Sequence, residues 1–140
     1  MSMVSLITFS SIVLGDDWVK IGSDEVFTQY YNSTSVKIDK QKKTIEVCIK
    51  LVFTDKGKSD FLENKDSKSK QKYIDINYQL KNYLLNYNKL KSQIIFVSFN
   101  TKTDKLLFHR AYIPEWKNII PDTFLDKLTN QLIKDYNIKQ

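Results

Sequence analysis

The chain has 140 residues, 41% apolar and 13% aromatic, which excludes a disordered polymer and leaves room for one domain with a real core. Its net charge is +6, carried almost wholly by lysine, with Arg110 the only arginine. Readers of nucleic acid rely on bidentate arginine, so this charge fits an anionic surface, a glycan or an acidic protein equally well. One cysteine (Cys48) and one histidine (His109) exclude an intramolecular disulfide, a cysteine-based zinc site and a His-rich metal site. No metal and no cofactor is expected.

Residues 4–14 (VSLITFSSIVL) form an apolar run of signal-peptide length, too short to span a bilayer. Val13 and Gly15 place small residues before a cut that leaves Asp16 as the mature start. Met1-Ser2-Met3 lacks the basic front of a signal, so either the start is truncated or the run is a buried N-terminal strand. The expected organisation is a signal peptide over 1–15 and a single domain over 16–140. Asp16 stands where a lipoprotein would carry cysteine, so no lipid anchor is indicated.

From Trp18 onward the pattern has period two. Val19 and Ile21, then Val36 and Ile38, alternate with polar residues, and residues 26–31 are rich in aromatics. Residues 40–43 are a polar hairpin loop. Ile45, Val47, Ile49, Leu51 and Phe53 then mark the inward face of a long central strand, with Glu46, Cys48 and Lys50 on the other face. Residues 55–71 (DKGKSDFLENKDSKSKQ) are polar, with Phe61 and Leu62 as the only anchors, and predict a long mobile connection. Residues 73–81 form a strand with Ile74, Ile76, Tyr78 and Leu80 facing in and Asp75, Asn77 and Gln79 facing out. Residues 82–90 (NYLLNYNKL) are ambiguous. Residues 94–99 and 106–112 are strands about a turn at 100–104, and Pro114 ends the second.

The last stretch, residues 113–136, carries helical periodicity. Phe124, Leu125, Leu128, Leu132, Ile133 and Tyr136 fall on one stripe. Pro121 suits the first helical position and Asp122 a cap. A lone amphipathic helix is marginal in water, so it should lie on the sheet. The fold class is therefore α+β: an antiparallel sheet of about six strands with a C-terminal helix packed on one face.

Candidate chemistry is sparse. His109 lies on a strand with no nucleophile elbow and no acidic residue at a nominating spacing. It is the one handle for an alternative in which the chain is a small enzyme or ligand-binding domain. Cys48 is either a small filler on a sheet face or a thiol activated by Lys50. In an oxidising compartment an odd cysteine also offers a cross-link between two copies, hence a homodimer. The acidic residues lack calcium-loop spacing, and three glycines cannot build a phosphate cradle. Two lysine groups stand out as candidate binding residues: Lys37, Lys40, Lys42 and Lys43 on the first hairpin, and Lys65, Lys68, Lys70 and Lys72 in the polar connection. They also carry the alternative of nucleic-acid binding, which would need lysines interleaved with aromatics on one open face. Trp18 and Trp116 are expected as anchors that pack the sheet and the start of the helix, beside Pro121, Phe124, Leu128 and Leu132. An exposed tryptophan pair would instead mark a contact surface.

The order of segments carries a resemblance. DDWVKIG is followed by YYNSTSVKI, a polar hairpin, TIEVCIKLVF, a lysine-rich spacer, YIDINYQLKNYLL and finally EWKNIIPDTFLDKL. This is similar to the surface-adhesin protein E family of bacterial exported proteins, over residues 18–136. Trp116, Ile119, Pro121 and Thr123 match its W-x-x-I-x-P-x-[ST] segment, and Tyr31, Ser35 and Val36 its earlier aromatic-Asp-Ser-Ile segment, with Asn32 where the family has Asp. The family commonly pairs a cysteine in the strand after the spacer with one in the last helix, and neither is present here. The resemblance implies an antiparallel sheet with a C-terminal helix. It also implies a non-catalytic exported or surface protein that binds a protein or glycan partner of a host surface.

Overall fold

In the computed structural model, residues 17–140 are described. The expected signal peptide and its cleavage point lie outside them. Among the described residues there are eight strands and three α-helices: β1 (Trp18–Ser23), β2 (Phe27–Asn32), β3 (Lys37–Asp39), β4 (Thr44–Phe53), α1 (Asp55–Glu63), α2 (Ser67–Tyr73), β5 (Ile76–Asn86), β6 (Lys91–Thr101), β7 (Leu106–Ala111), β8 (Lys117–Asn118) and α3 (Phe124–Asp135). The strands form one antiparallel sheet in the order β1-β2-β4-β5-β6-β7, with β3 beside the start of β4 and β8 beside the start of β6. The α+β class, the antiparallel sheet and the C-terminal helix expected from the sequence are all present.

β4 sets the faces. Ile45, Val47 and Ile49 are fully buried, and Leu51 is nearly so. Together with Tyr31, Tyr83, Leu85, Leu128 and Leu132 they form the main core. The alternation in β5 is the reverse of that expected. Register pairs Ile45 with Leu85, Val47 with Tyr83, Ile49 with Lys81 and Leu51 with Gln79. Hence Gln79, Lys81, Tyr83 and Leu85 share the covered face, and Tyr78 and Leu80 turn to the other. The apolar residues at 74–80 and at 83–85 lie on opposite phases, and pairing with β4 decides between them. The ambiguous stretch 82–90 continues β5 as far as Asn86 and then turns.

α3 begins later than the Pro121–Asp122 signal suggests. Thr123 is its N-cap residue, and residues 113–122 are extended or turning, with Asp122 at φ 66°. The Asp126 carboxylate reaches back to accept from the Asp122 N–H at 2.9 Å, which satisfies one donor at this end. The C-terminus is a Schellman turn with Asn137 left-handed (φ 51°). The Ile138 N–H donates to Ile133 O at 2.9 Å and Asn137 N–H to Lys134 O at 3.2 Å. The helix is not held by apolar contact alone. Tyr31 Oη donates to Asp135 Oδ2 at 2.8 Å, and Tyr136 Oη to the Ser33 carbonyl at 3.3 Å.

Residues 55–71 are not an irregular connection. They form α1 and most of α2, because side-chain caps start each helix. Thr54 Oγ1 accepts from Gly57 N–H at 3.0 Å, and Asp66 Oδ1 accepts from Ser69 N–H at 2.8 Å. The hydrogen bonding from Ser69 holds the exposed Asp66 carboxyl below the usual carboxylate range. The two helices cover the far end of the same sheet face. Phe61 lies edge-on to Phe53 (5.4 Å), Tyr73 (5.6 Å) and Phe99 (5.5 Å), and Phe99 stacks on Phe108 at 5.3 Å. All three helices thus sit on one face. Between them runs a polar seam of Gln29, Gln79 and Lys81, where burial depresses the lysine's pKa.

Two substitutions test this packing. Leu128 is fully buried on the inner side of α3, so Leu128→Ala is expected to cost about 2–5 kcal/mol in chemical denaturation. A loss below about 1 kcal/mol, well under the range for buried leucine, would show that α3 is not docked. Gly57 sits where a methyl group would collide with the Val26 carbonyl. Gly57→Ala should therefore destabilise by about 1–3 kcal/mol from overpacking, although alanine normally improves a helix by roughly 0.5–1 kcal/mol. Stabilisation of the alanine variant would mean α1 does not lie against the β1–β2 turn.

Candidate functional site

With the helices on one face, the other face of the sheet is bare. It carries Glu46, Cys48 and Lys50 of β4, as the alternation predicts, and also Tyr78, Leu80, Asn82 and Leu84 of β5. Both tryptophans lie on this side: Trp18 is half-buried and still packs on the sheet, against Lys50, whereas Trp116 is exposed and does not pack in the core. Trp18 pairs with Asn32 at the β1 edge, and Trp116 is 41% exposed beside Leu84 and Asn86. The cause is local for Trp116, since the chain before β8 follows the edge of β6, where Trp116 lies on the bare side with Leu84 and Asn86 while Ile119 enters the core. Pro121 is exposed, while Phe124 packs partly buried on the core beside Leu128 and Leu132.

Two grooves mark opposite ends of the bare face. In the first, Lys50 Nζ stands 4.4 Å from the Tyr78 ring and 5.3 Å from the Trp18 ring. Tyr78 Oη donates to Asp104 Oδ1 at 2.7 Å, and burial together with that bond raises its pKa well above the ordinary value. The groove, about 570 Å³, is completed by Leu80 and Lys102. In the second, Trp116 divides a groove of about 450 Å³, lined by Lys37, Lys42 and Glu46, from a smaller one of about 130 Å³ beside Lys89 and Lys91.

The two lysine groups singled out from the sequence have different fates and do not form one patch. β4 is ten residues long, which places its two ends roughly 30 Å apart. Lys37, Lys40, Lys42 and Lys43 are exposed at the Trp116 end. Lys65, Lys68, Lys70 and Lys72 belong to the α1–α2 end. There Lys65 Nζ lies 4.3 Å from the Phe61 ring and Lys72 Nζ 5.2 Å from the Tyr73 ring, so those two cover the aromatic cluster. Lys89 and Lys91, which sequence reasoning passed over, join the first group. Their signal was the Asn86-Tyr87-Asn88 run, a turn-former directly before them.

Cys48 is mostly buried, and burial pushes its thiol up to about 11. Lys50 does not activate it, and a neutral thiol at that position behaves as a small filler. His109 is exposed on β7, opposite Ser98, with the Phe96 ring 5.6 Å away. Among the described residues it has no carboxylate partner, and no group of three His, Cys, Asp or Glu could hold a metal. No helix among them is long and apolar enough to cross a membrane. On the covered face a separate apolar cleft of about 250 Å³ lies between Tyr83, Ile94, Tyr112 and Leu125.

No protein-family model matches the chain, and no curated protein matches its sequence. Solved structures do. Crystal form II of Haemophilus influenzae protein E superposes with a TM-score of 0.56 at 10% identity, covering 89% of this chain and 92% of that one. Another structure of Haemophilus influenzae protein E gives 0.56 at 11% identity, over 91% of each chain. Protein E from non-typeable Haemophilus influenzae gives 0.55 at 11%, over 89% of this chain and 80% of that one. The likeness suggested by the order of sequence motifs is thus met in three dimensions, and the chain has the fold of Haemophilus influenzae protein E.

Proposed function

We propose that this is a non-catalytic exported or surface protein whose bare sheet face is a contact surface for a protein or glycan partner. The observation that carries the reading is the pair of tryptophans on a face that no helix covers. Trp116 is exposed and Trp18 half-buried, and aromatic rings beside lysines supply contact area and charge together. The likeness to protein E supports the reading as an analogy of fold. The apolar run at residues 4–14 supports export.

Retention of the protein on surfaces coated with host matrix glycoproteins tests the contact face. Trp18→Ala/Trp116→Ala should lose at least about tenfold in retention, the loss of one or two aromatic anchors, with its melting temperature close to that of the parent. Retention should also fall as salt rises, since exposed lysines are screened within about 10 Å at 0.1 M salt. Undiminished retention of the double variant, or no salt response, overturns the reading. N-terminal sequencing of secreted protein tests export, and recovery solely as uncut cytosolic protein counts against it.

A further inference from the structure

The Trp116 end of the bare face is built more deliberately than a solvated hairpin requires. Two turns meet there, residues 40–43 and 87–90, and they are made alike. Asp39 Oδ1 accepts from the N–H groups of Gln41 and Lys42, both at 3.0 Å. Asn86 Oδ1 accepts from those of Asn88 and Lys89, at 3.0 and 2.8 Å. Each turn ends in a left-handed residue, Lys43 at φ 61° and Leu90 at φ 51°. The Tyr87 N–H donates to Lys43 O at 3.0 Å and locks one turn to the other. Ile119 N–H to Leu90 O at 2.8 Å, with the pairing of Lys91 to Asn118, ties the chain that carries Trp116 to the second turn.

This frame gathers Lys37, Lys42, Lys89 and Lys91 about one exposed indole. Among the described residues none of these four has a carboxylate in ion-pair range, because the pairs present are Lys56–Asp60 and Lys117–Glu115. Asp39 spends one oxygen on its own turn. Glu46, the cross-strand partner of Lys37, and Asp39 line the same groove, so the four lysines outnumber the carboxylates about Trp116 and leave a net positive charge held on fixed backbone, with a groove on either side of the indole.

We infer that the Trp116 end binds a sulfated polysaccharide. The indole would stack on the apolar face of a sugar ring, and lysines on both sides would take the sulfates of neighbouring units. Ammonium groups suit sulfates spaced along a chain, where each is met as a point charge. Nucleic acid is the poorer fit, because one ring offers a single stacking platform and the only arginine, Arg110, stands on β7. The ligand class rests on the contact-face reading above and gives it a chemistry.

The test follows Trp116 emission in a Trp18→Phe background, titrated with a heparin octasaccharide. The controls are a desulfated octasaccharide and single-stranded DNA of equal charge. Heparin should shift the emission, and both controls should bind at least about tenfold more weakly. Lys42→Glu/Lys89→Glu should lose at least about tenfold in heparin affinity, whereas Lys68→Glu/Lys70→Glu should lose less than about twofold. Both pairs change net charge equally, so the contrast separates a site from a general field. Thermal melts confirm that each variant is folded. Equal losses in the two charge variants, DNA binding as tight as heparin, or an unmoved emission overturns the inference. If tryptophan-dependent retention on glycoprotein surfaces survives while heparin gives no response, the ligand class falls and the contact face stands.

Discussion

The constraint on which the structure depends is that β4 is apolar on one side only. It pairs with β2 and β3 on one flank and β5 on the other, so neither edge is free to admit a different register. Ile45, Val47 and Ile49 are excluded from water only if something lies over them. Slipping β4 by one residue would exchange those side chains for Glu46, Cys48 and Lys50, a far larger loss than any turn could offset. Every helix is drawn to the same side as a consequence, and the bare face is a by-product of that choice. Antiparallel sheets tolerate such a face in water when it is polar enough. Here it is polar in its centre, with Glu46, Lys50 and Asn82, and aromatic at its ends.

The covered side is not a single core. α3 closes one half with aliphatic contacts, and α1 with α2 closes the other with a run of rings from Phe27 to Phe108. The seam between them holds Gln29, Gln79 and Lys81. Burial opposes the charged form of Lys81, and among the described residues no carboxylate lies in ion-pair range of it. The seam must therefore be held by its neighbours rather than hold them. This explains why both caps are tied down separately: α1 through Thr54 onto the Glu25 and Val26 carbonyls, and α3 through Tyr31 and Tyr136. Each tie brings together parts of the chain distant in sequence.

That distance also decides what could be read in advance. The phase of β4 and the stripe of α3 are local patterns, and they stand in the structure where they stand in the chain. The helices over residues 55–73 are scarcely visible, because Ser, Asp and Gly offset the helix-forming lysines, no apolar stripe marks a face, and the reason to fold is non-local. Phe61 and Tyr73 find Phe53 and Phe99 only once the sheet exists. The faces of β5 are illegible for the same reason, since its own alternation allows two phases and only the register with β4 chooses between them. The lysine end was half legible. Lys37, Lys40, Lys42 and Lys43 cluster in sequence, while Lys89, Lys91 and Trp116 arrive by hairpin geometry and by the chain before β8. Tryptophan in a mostly β chain is read as core by default, and only the path of the backbone shows that both lie on the bare side.

The likeness to protein E constrains these two faces unequally. A covered face accepts many apolar sequences if volume and pattern are kept, so two chains about 10% identical can share it and with it the topology. A bare face contributes little to stability, and its side chains are free to differ between proteins of one fold. What this chain touches is therefore written in the side chains that the fold does not need. Lys37, Lys42, Lys89 and Trp116 could each be changed with little effect on the core. The lysines nonetheless carry an excess of positive charge over Asp39 and Glu46, beside turns stiffened by Asp39 and Asn86. Stiff turns lower the ordering cost of binding. The combination of low structural demand and fixed geometry is the physical ground for seeking the protein's function at that end of the sheet rather than beneath its helices.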